Sequence, residues 1–86
     1  MAEYAVTVAR SARRELEALD ADIARRILAK IEALAQQPRP HDCRKIHGAR
    51  DLWRVRVGDY RIIYQVSDRR RVVDVAIVRH RGDVYR

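Results

Sequence analysis

The chain has 86 residues, 48% of them apolar, with neither an internal repeat nor a low-complexity segment, which excludes a disordered or fibrous protein and expects one small domain spanning residues 1–86. Nineteen Lys and Arg against twelve Asp and Glu leave a net charge of +7, which points to a polyanion or an acidic partner. No apolar run is long enough to cross a bilayer, the N-terminus has no signal-peptide pattern, and the single Cys43 cannot form an internal disulfide, so a cytoplasmic protein with no membrane association is expected.

Tyr4, Val6 and Val8 alternate with Ala5 and Thr7, which predicts a short first strand. Ala9, Ala12, Leu16 and Leu19 then recur at helical spacing, with Arg10, Arg13, Arg14 and Glu17 on the other face. A second helix carries Ile23, Ile27, Ile31 and Leu34 as its apolar stripe, with Asp20 or Asp22 placed to cap its first turn. It must stop near Gln37, because the prolines of QQPRP push each preceding residue out of helical geometry. The short connection predicts an antiparallel helix hairpin with a structural role.

From Pro38 onward the charge balance changes. Residues 1–37 hold six basic and six acidic side chains, whereas residues 38–86 hold thirteen basic and six acidic ones, so the second half carries the whole net charge. Cys43 to Ile46 suggests a short strand and HGARD a turn. His41 and His47 have no second cysteine to complete a metal-ligand pattern and read as exposed loop residues; Cys43 reads as a partly buried thiol.

LWRVRVGDYRIIYQV, residues 52–66, predicts a β-hairpin closed by Gly58-Asp59. Counting outward pairs Val57 with Tyr60, Val55 with Ile62 and Trp53 with Tyr64, an apolar face for the helices. The opposite face pairs Arg56 with Arg61 and Arg54 with Ile63. Opposed guanidinium groups repel, so fold stability does not recommend this face, and it is identified as an anion-binding surface. VVDVAIV, residues 72–78, predicts another strand with Val73, Val75 and Ile77 toward the core; the arginines of SDRRR before it read as a solvated tip. His80, Arg81 and Tyr85 follow, and periodicity does not fix the face that they reach.

The order strand, helix hairpin, P-R-P, R-x-R-x-G-x-Y-R-x-x-Y and terminal H-R-x-x-x-Y closely resembles the RelE branch of the RelE/ParE toxin superfamily over essentially the whole chain. The resemblance implies an α+β fold, with the helix hairpin packed on one face of a small, mainly antiparallel sheet and a basic groove on the other. It implies a type II toxin that cuts mRNA in the ribosomal 30S A site without a metal or other cofactor. Its partners would be the ribosome, mRNA and a RelB-like antitoxin, in a hetero-oligomer. Arg54, Arg56, Arg61, Arg81 and Tyr85 fall on the family's functional positions, with His80 beside them as a further catalytic candidate and Lys45 joining the arginines as an RNA contact.

Metal-free RNA cleavage uses the ribose 2′-hydroxyl as nucleophile and needs a base, cations around the phosphate and an acid for the leaving 5′-oxygen. Well-known RelE members have lysines where this chain has Arg54 and Arg56, and a crowded lysine can surrender its proton where arginine does not. The proton acceptor must therefore lie elsewhere: Tyr85 is the first candidate, since neighbouring arginines favour a phenolate, and His80 the second, since histidine ordinarily titrates near neutral pH. A ParE-like gyrase inhibitor shares the hairpin and the G-D-Y-R element and stands as the alternative. A non-catalytic nucleic-acid-binding module is a third.

Overall fold

A computed structural model describes residues 3–80. Strand β1 (Ala5–Val8) leads into helices α1 (Arg10–Glu17) and α2 (Ala21–Ala33), followed by β2 (Arg44–Lys45), β3 (Leu52–Val57), β4 (Tyr60–Ser67) and β5 (Val72–His80). The five strands form one sheet in the order β1-β5-β4-β3-β2. Strand β1 runs parallel to β5 and every other pair is antiparallel, so the sheet is mixed but mainly antiparallel.

Both helices cover one face of the sheet. Ala12 and Leu16 from α1, and Ile27, Ile31 and Leu34 from α2 and its end, close over Val55, Ile62, Tyr64, Val66, Val73, Val75 and Val78. Each Val, Leu or Ile so buried contributes about 1.5–3 kcal/mol relative to exposure, which offsets the backbone ordering of a small domain. Asp20 occupies the cap position of α2 but makes no side-chain cap hydrogen bond, and Asp22 turns instead to Arg25 at 2.6 Å, so the expected carboxylate cap does not form.

The hairpin register matches the pairing expected from its turn, from Leu52 opposite Gln65 to Val57 opposite Tyr60. Gly58 has φ +58, at the first loop position, where a two-residue hairpin favours glycine. One expectation fails in β5. A β-bulge at Ala76 shifts the register between Ile63, which faces Ile77, and Tyr64, which faces Val75. The extra residue reverses the alternation, so Val78 rather than Ile77 enters the core. Ser11 of α1 donates to the Ala76 carbonyl at 3.4 Å, and Ala9 N–H to that of Val75 at 2.8 Å, which satisfies backbone groups at the bulge.

The Pro38-Arg39-Pro40 segment is tied across the edge of the core. Arg39 forks onto Asp68 with bonds of 3.1 and 2.9 Å, Tyr4 donates to the same carboxylate at 2.6 Å, and Arg39 lies 5.2 Å over the Trp53 ring. Tyr64, fully buried, donates its hydroxyl proton to the Pro38 carbonyl at 2.8 Å. Four chain segments distant in sequence thus meet at this strap.

Candidate nucleic-acid interface

The face of the sheet away from the helices holds the arginines. Alternation along β3 turns Arg54 and Arg56 to it, and register then adds their neighbours strand by strand. Arg56 faces Arg61, and Arg61 faces Arg79, so three guanidinium groups form a row across β3, β4 and β5. The next row runs Arg44, Arg54, Ile63, Ile77. Arg61, at the centre, is only 8% exposed, whereas Arg56 and Arg79 are open to solvent.

Arg79 is the residue that sequence periodicity did not find. Uninterrupted alternation from Val73 and Val75 would have sent it to the helix side; the bulge at Ala76 returns it to the open face beside Arg61. The same step sends His80 the other way. His80 pairs with Tyr60, and their rings meet edge to face with centroids 5.2 Å apart, on the side of Ile62 and Val78 rather than of Arg61. Arg81 and Tyr85 lie outside the described residues.

Lys45 does not join the arginine rows. It pairs with Trp53 and places its ammonium 6.0 Å from that ring, on the helix side of the sheet, while its neighbour Arg44 pairs with Arg54. Trp53 thus carries two cations, Arg39 and Lys45, and its buried Nε1 has no hydrogen-bond partner among the described residues. His41 and His47 are exposed in the loops, and Cys43 is half-buried and free.

A groove of about 420 Å³ is lined by Asp42, Arg44, Arg54, Val55 and Arg56. Its carboxylate does not cancel the arginines, because Asp42 is bound at 2.8 Å to Lys30, whose hydrogen bond holds it below the usual carboxylate range. Beyond Ile63 and Ile77 the face turns polar: Thr7 donates to Asp74 at 2.8 Å, and Gln65, Ser67 and Arg70 complete a shallow depression there. The hairpin end of the face thus gathers a row of arginines on its strands, whereas at the other end Asp74 lies beside Arg70 of the β4–β5 loop. Planar guanidinium forks of the kind gathered at the hairpin end match phosphate oxygens. Among the described residues no group of three or more His, Cys, Asp or Glu gathers into a metal site.

Two helices on one side of a five-stranded sheet, with a row of arginines on the other, define a small basic domain of the RelE/ParE toxin fold. The model of the ParE toxin of the type II toxin-antitoxin system, parDE, matches residues 6–85, and the chain belongs to that toxin family. Among solved structures it is similar to a chain of the archaeal RelE-RelB complex from Pyrococcus horikoshii OT3, with 31% identity over 98% of this chain and 100% of that one and a TM-score of 0.83. It is also similar to a chain of the intact Escherichia coli RelBE toxin-antitoxin complex, with 26% identity, 87% and 93% coverage and a TM-score of 0.77. The YoeB/ParE toxin from Agrobacterium tumefaciens shares the fold at 19% identity, 88% and 96% coverage and a TM-score of 0.76. No curated protein matches.

Proposed function

We propose that this toxin acts in the cytoplasm, as one unit over residues 1–86, cutting mRNA in the ribosomal A site until a RelB-like antitoxin binds it. The observation that carries this reading is the Arg56, Arg61, Arg79 row on an open face of the sheet. Three guanidinium groups side by side destabilise a sheet and are rewarded when a phosphate nears the pentacoordinate state, with its added negative charge. The 31% identity to a chain of an archaeal RelE-RelB complex supports the same branch and the same kind of partner.

In this reading Arg61, Arg79 and Arg81 hold the scissile phosphate, and Arg54 and Arg56 hold the RNA backbone that approaches along the groove. The ribose 2′-oxygen bonds to phosphorus as the bond to the 5′-oxygen breaks, giving a 2′,3′-cyclic phosphate and a 5′-hydroxyl. One proton leaves the 2′-hydroxyl for a base and another reaches the 5′-oxygen. His80 rests against Tyr60 on the helix side of the sheet, and in this reading the proton goes to Tyr85 rather than to His80.

Ribosomes programmed with mRNA and mixed with the protein should yield cuts in the A-site codon, suppressed by Arg79→Gln and by Tyr85→Phe. The match to the ParE family model favours a second reading, inhibition of DNA gyrase without RNA cleavage. Intact mRNA together with blocked supercoiling would establish that second reading and overturn the first.

A further inference from the structure

Two isoleucines interrupt the open face between the arginine row and its polar end. Ile63 pairs with Ile77 across β4 and β5, two residues after Arg61 on one strand and two before Arg79 on the other. Both are half-buried, yet neither belongs to the core on the helix side or packs against it. The next row pairs Gln65 with Asp74, where a depression of about 310 Å³ is lined by Thr7, Gln65, Ser67, Arg70, Val72 and Asp74. Thr7 donates to Asp74 Oδ1 at 2.8 Å, which fixes the carboxylate and leaves its other lone pairs to accept. Measured along β4 from Arg61, Ile63 lies about 6.5 Å away and Gln65 about 13 Å. The open face thus runs in steps from guanidinium to aliphatic shelf to carboxylate and amide.

We propose that Ile63, Ile77, Gln65 and Asp74 form a subsite for a guanine base of single-stranded RNA whose phosphate rests on Arg61 and Arg79. The flat base lies on the isoleucine pair, and its Watson–Crick edge points on toward Gln65 and Asp74. Guanine offers two adjacent donors on that edge, N1–H and the N2 amine, to the two oxygens of a carboxylate, with its O6 acceptor beside them for the Gln65 amide. Adenine, cytosine and uracil lack the adjacent pair of donors. The flanking chemistry chooses the occupant of the shelf. An acidic peptide suits the arginines but opposes Asp74, and a basic one does the reverse. A nucleotide carries its negative charge at one end and its hydrogen-bond donors at the other, in the order in which the face presents their partners.

The inference deepens the ribonuclease reading, since it rests on RNA as the ligand of this face, but it does not depend on cleavage. Its test is an NMR titration of the whole chain, isoleucine methyls labelled, with the 5′-monophosphates of guanosine, adenosine, cytidine and uridine, and with inorganic phosphate as the base-free reference. The guanosine nucleotide should bind roughly tenfold more tightly than the other three, the discrimination of one bidentate pair, and should shift the Ile63 and Ile77 signals. Asp74→Asn, whose Oδ1 still accepts from Thr7, should bring the four affinities together. Ile63→Thr combined with Ile77→Thr keeps β-branched side chains in the sheet and should weaken all four while preserving their order. Equal affinities in the unmodified protein, or isoleucine signals that move no more with nucleotides than with phosphate, overturn the proposal. Isoleucine signals that respond to antitoxin and to no nucleotide overturn it in favour of a protein occupant. Cleavage of mRNA that ignores base identity and is unchanged by Asp74→Asn removes the subsite and leaves the ribonuclease reading standing. Guanine-selective binding in a protein that cuts no mRNA leaves the subsite standing and removes that reading.

Discussion

Arg61 and Arg79 stand opposite each other across the β4 and β5 ladder, two like charges where a sheet ordinarily places a complementary pair. Arg56 repeats the arrangement on the other flank of Arg61. A phosphate bound across the row would relieve part of the repulsion between Arg61 and its two neighbours. Arg56→Thr should stabilise the fold by about 0.2–1 kcal/mol, the range for a mismatched cross-strand pair, while weakening RNA binding. Urea unfolding and a salt series of RNA affinity would show both, with the slope of log affinity against log salt falling by about one unit per lost phosphate contact.

The same repulsion makes the row sensitive to small anions. Inorganic phosphate at ten times its dissociation constant should add about 1.4 kcal/mol through mass action. In a domain of this size that raises Tm by several degrees. Phosphate also stabilises proteins in general by exclusion from their surface, so the specific part is its excess over Arg56→Gln combined with Arg79→Gln in the same buffer. An equal rise in both proteins would remove the row as an anion site.

The strap on the other side of the sheet adds a pH-dependent part to stability. The Arg39 fork, and after it the Tyr4 hydroxyl, hold the Asp68 carboxyl below the usual carboxylate range, and Lys30 does the same for Asp42. A depressed folded-state value contributes stability above the unfolded value, near 4, and loses it as pH falls through the folded one. Tyr4 is shifted up by its bond to Asp68, so its contribution is present below about pH 10 and is lost as pH rises through its folded value. Urea midpoints should fall between pH 5 and pH 3, and Asp68→Asn should flatten that fall while lowering the midpoint at pH 7.

Much of this was legible in sequence. The Gly58-Asp59 turn fixed a hairpin register that holds at every counted pair, because a two-residue loop leaves no freedom in pairing. The helix stripes were legible because Ile27, Ile31 and Leu34 repeat at helical spacing. The far side of the arginine row was not. A bulge needs no signature residue, and Ala76 fits either a regular or a bulged strand; what favours the bulge is long-range, a Ser11 hydroxyl meeting the Ala76 carbonyl. Arg79 and His80 exchanged faces through that one residue. The side on which Lys45 lies was illegible for a similar reason, since a two-residue edge strand shows no alternation and only its pairing with Trp53 reveals it.

The absence of a lysine base on the open face leads to a last expectation. Arg56 lies opposite Arg61, so a lysine in its place would sit against a permanent cation, which disfavours its charged form and lowers its pKa from about 10.4. Below that lowered value the ammonium can bind phosphate but accept no proton; above it the free amine can take the proton of the 2′-hydroxyl. Arg56→Lys should therefore give cleavage that climbs with pH through the lysine pKa, on top of activity still dependent on Tyr85. In Arg56→Lys combined with Tyr85→Phe only the lysine-dependent limb should remain. Single-turnover rates on programmed ribosomes from pH 6 to 9 would separate the two, and a double variant with no activity anywhere in that range would show that a base at position 56 cannot reach the nucleophile in this chain.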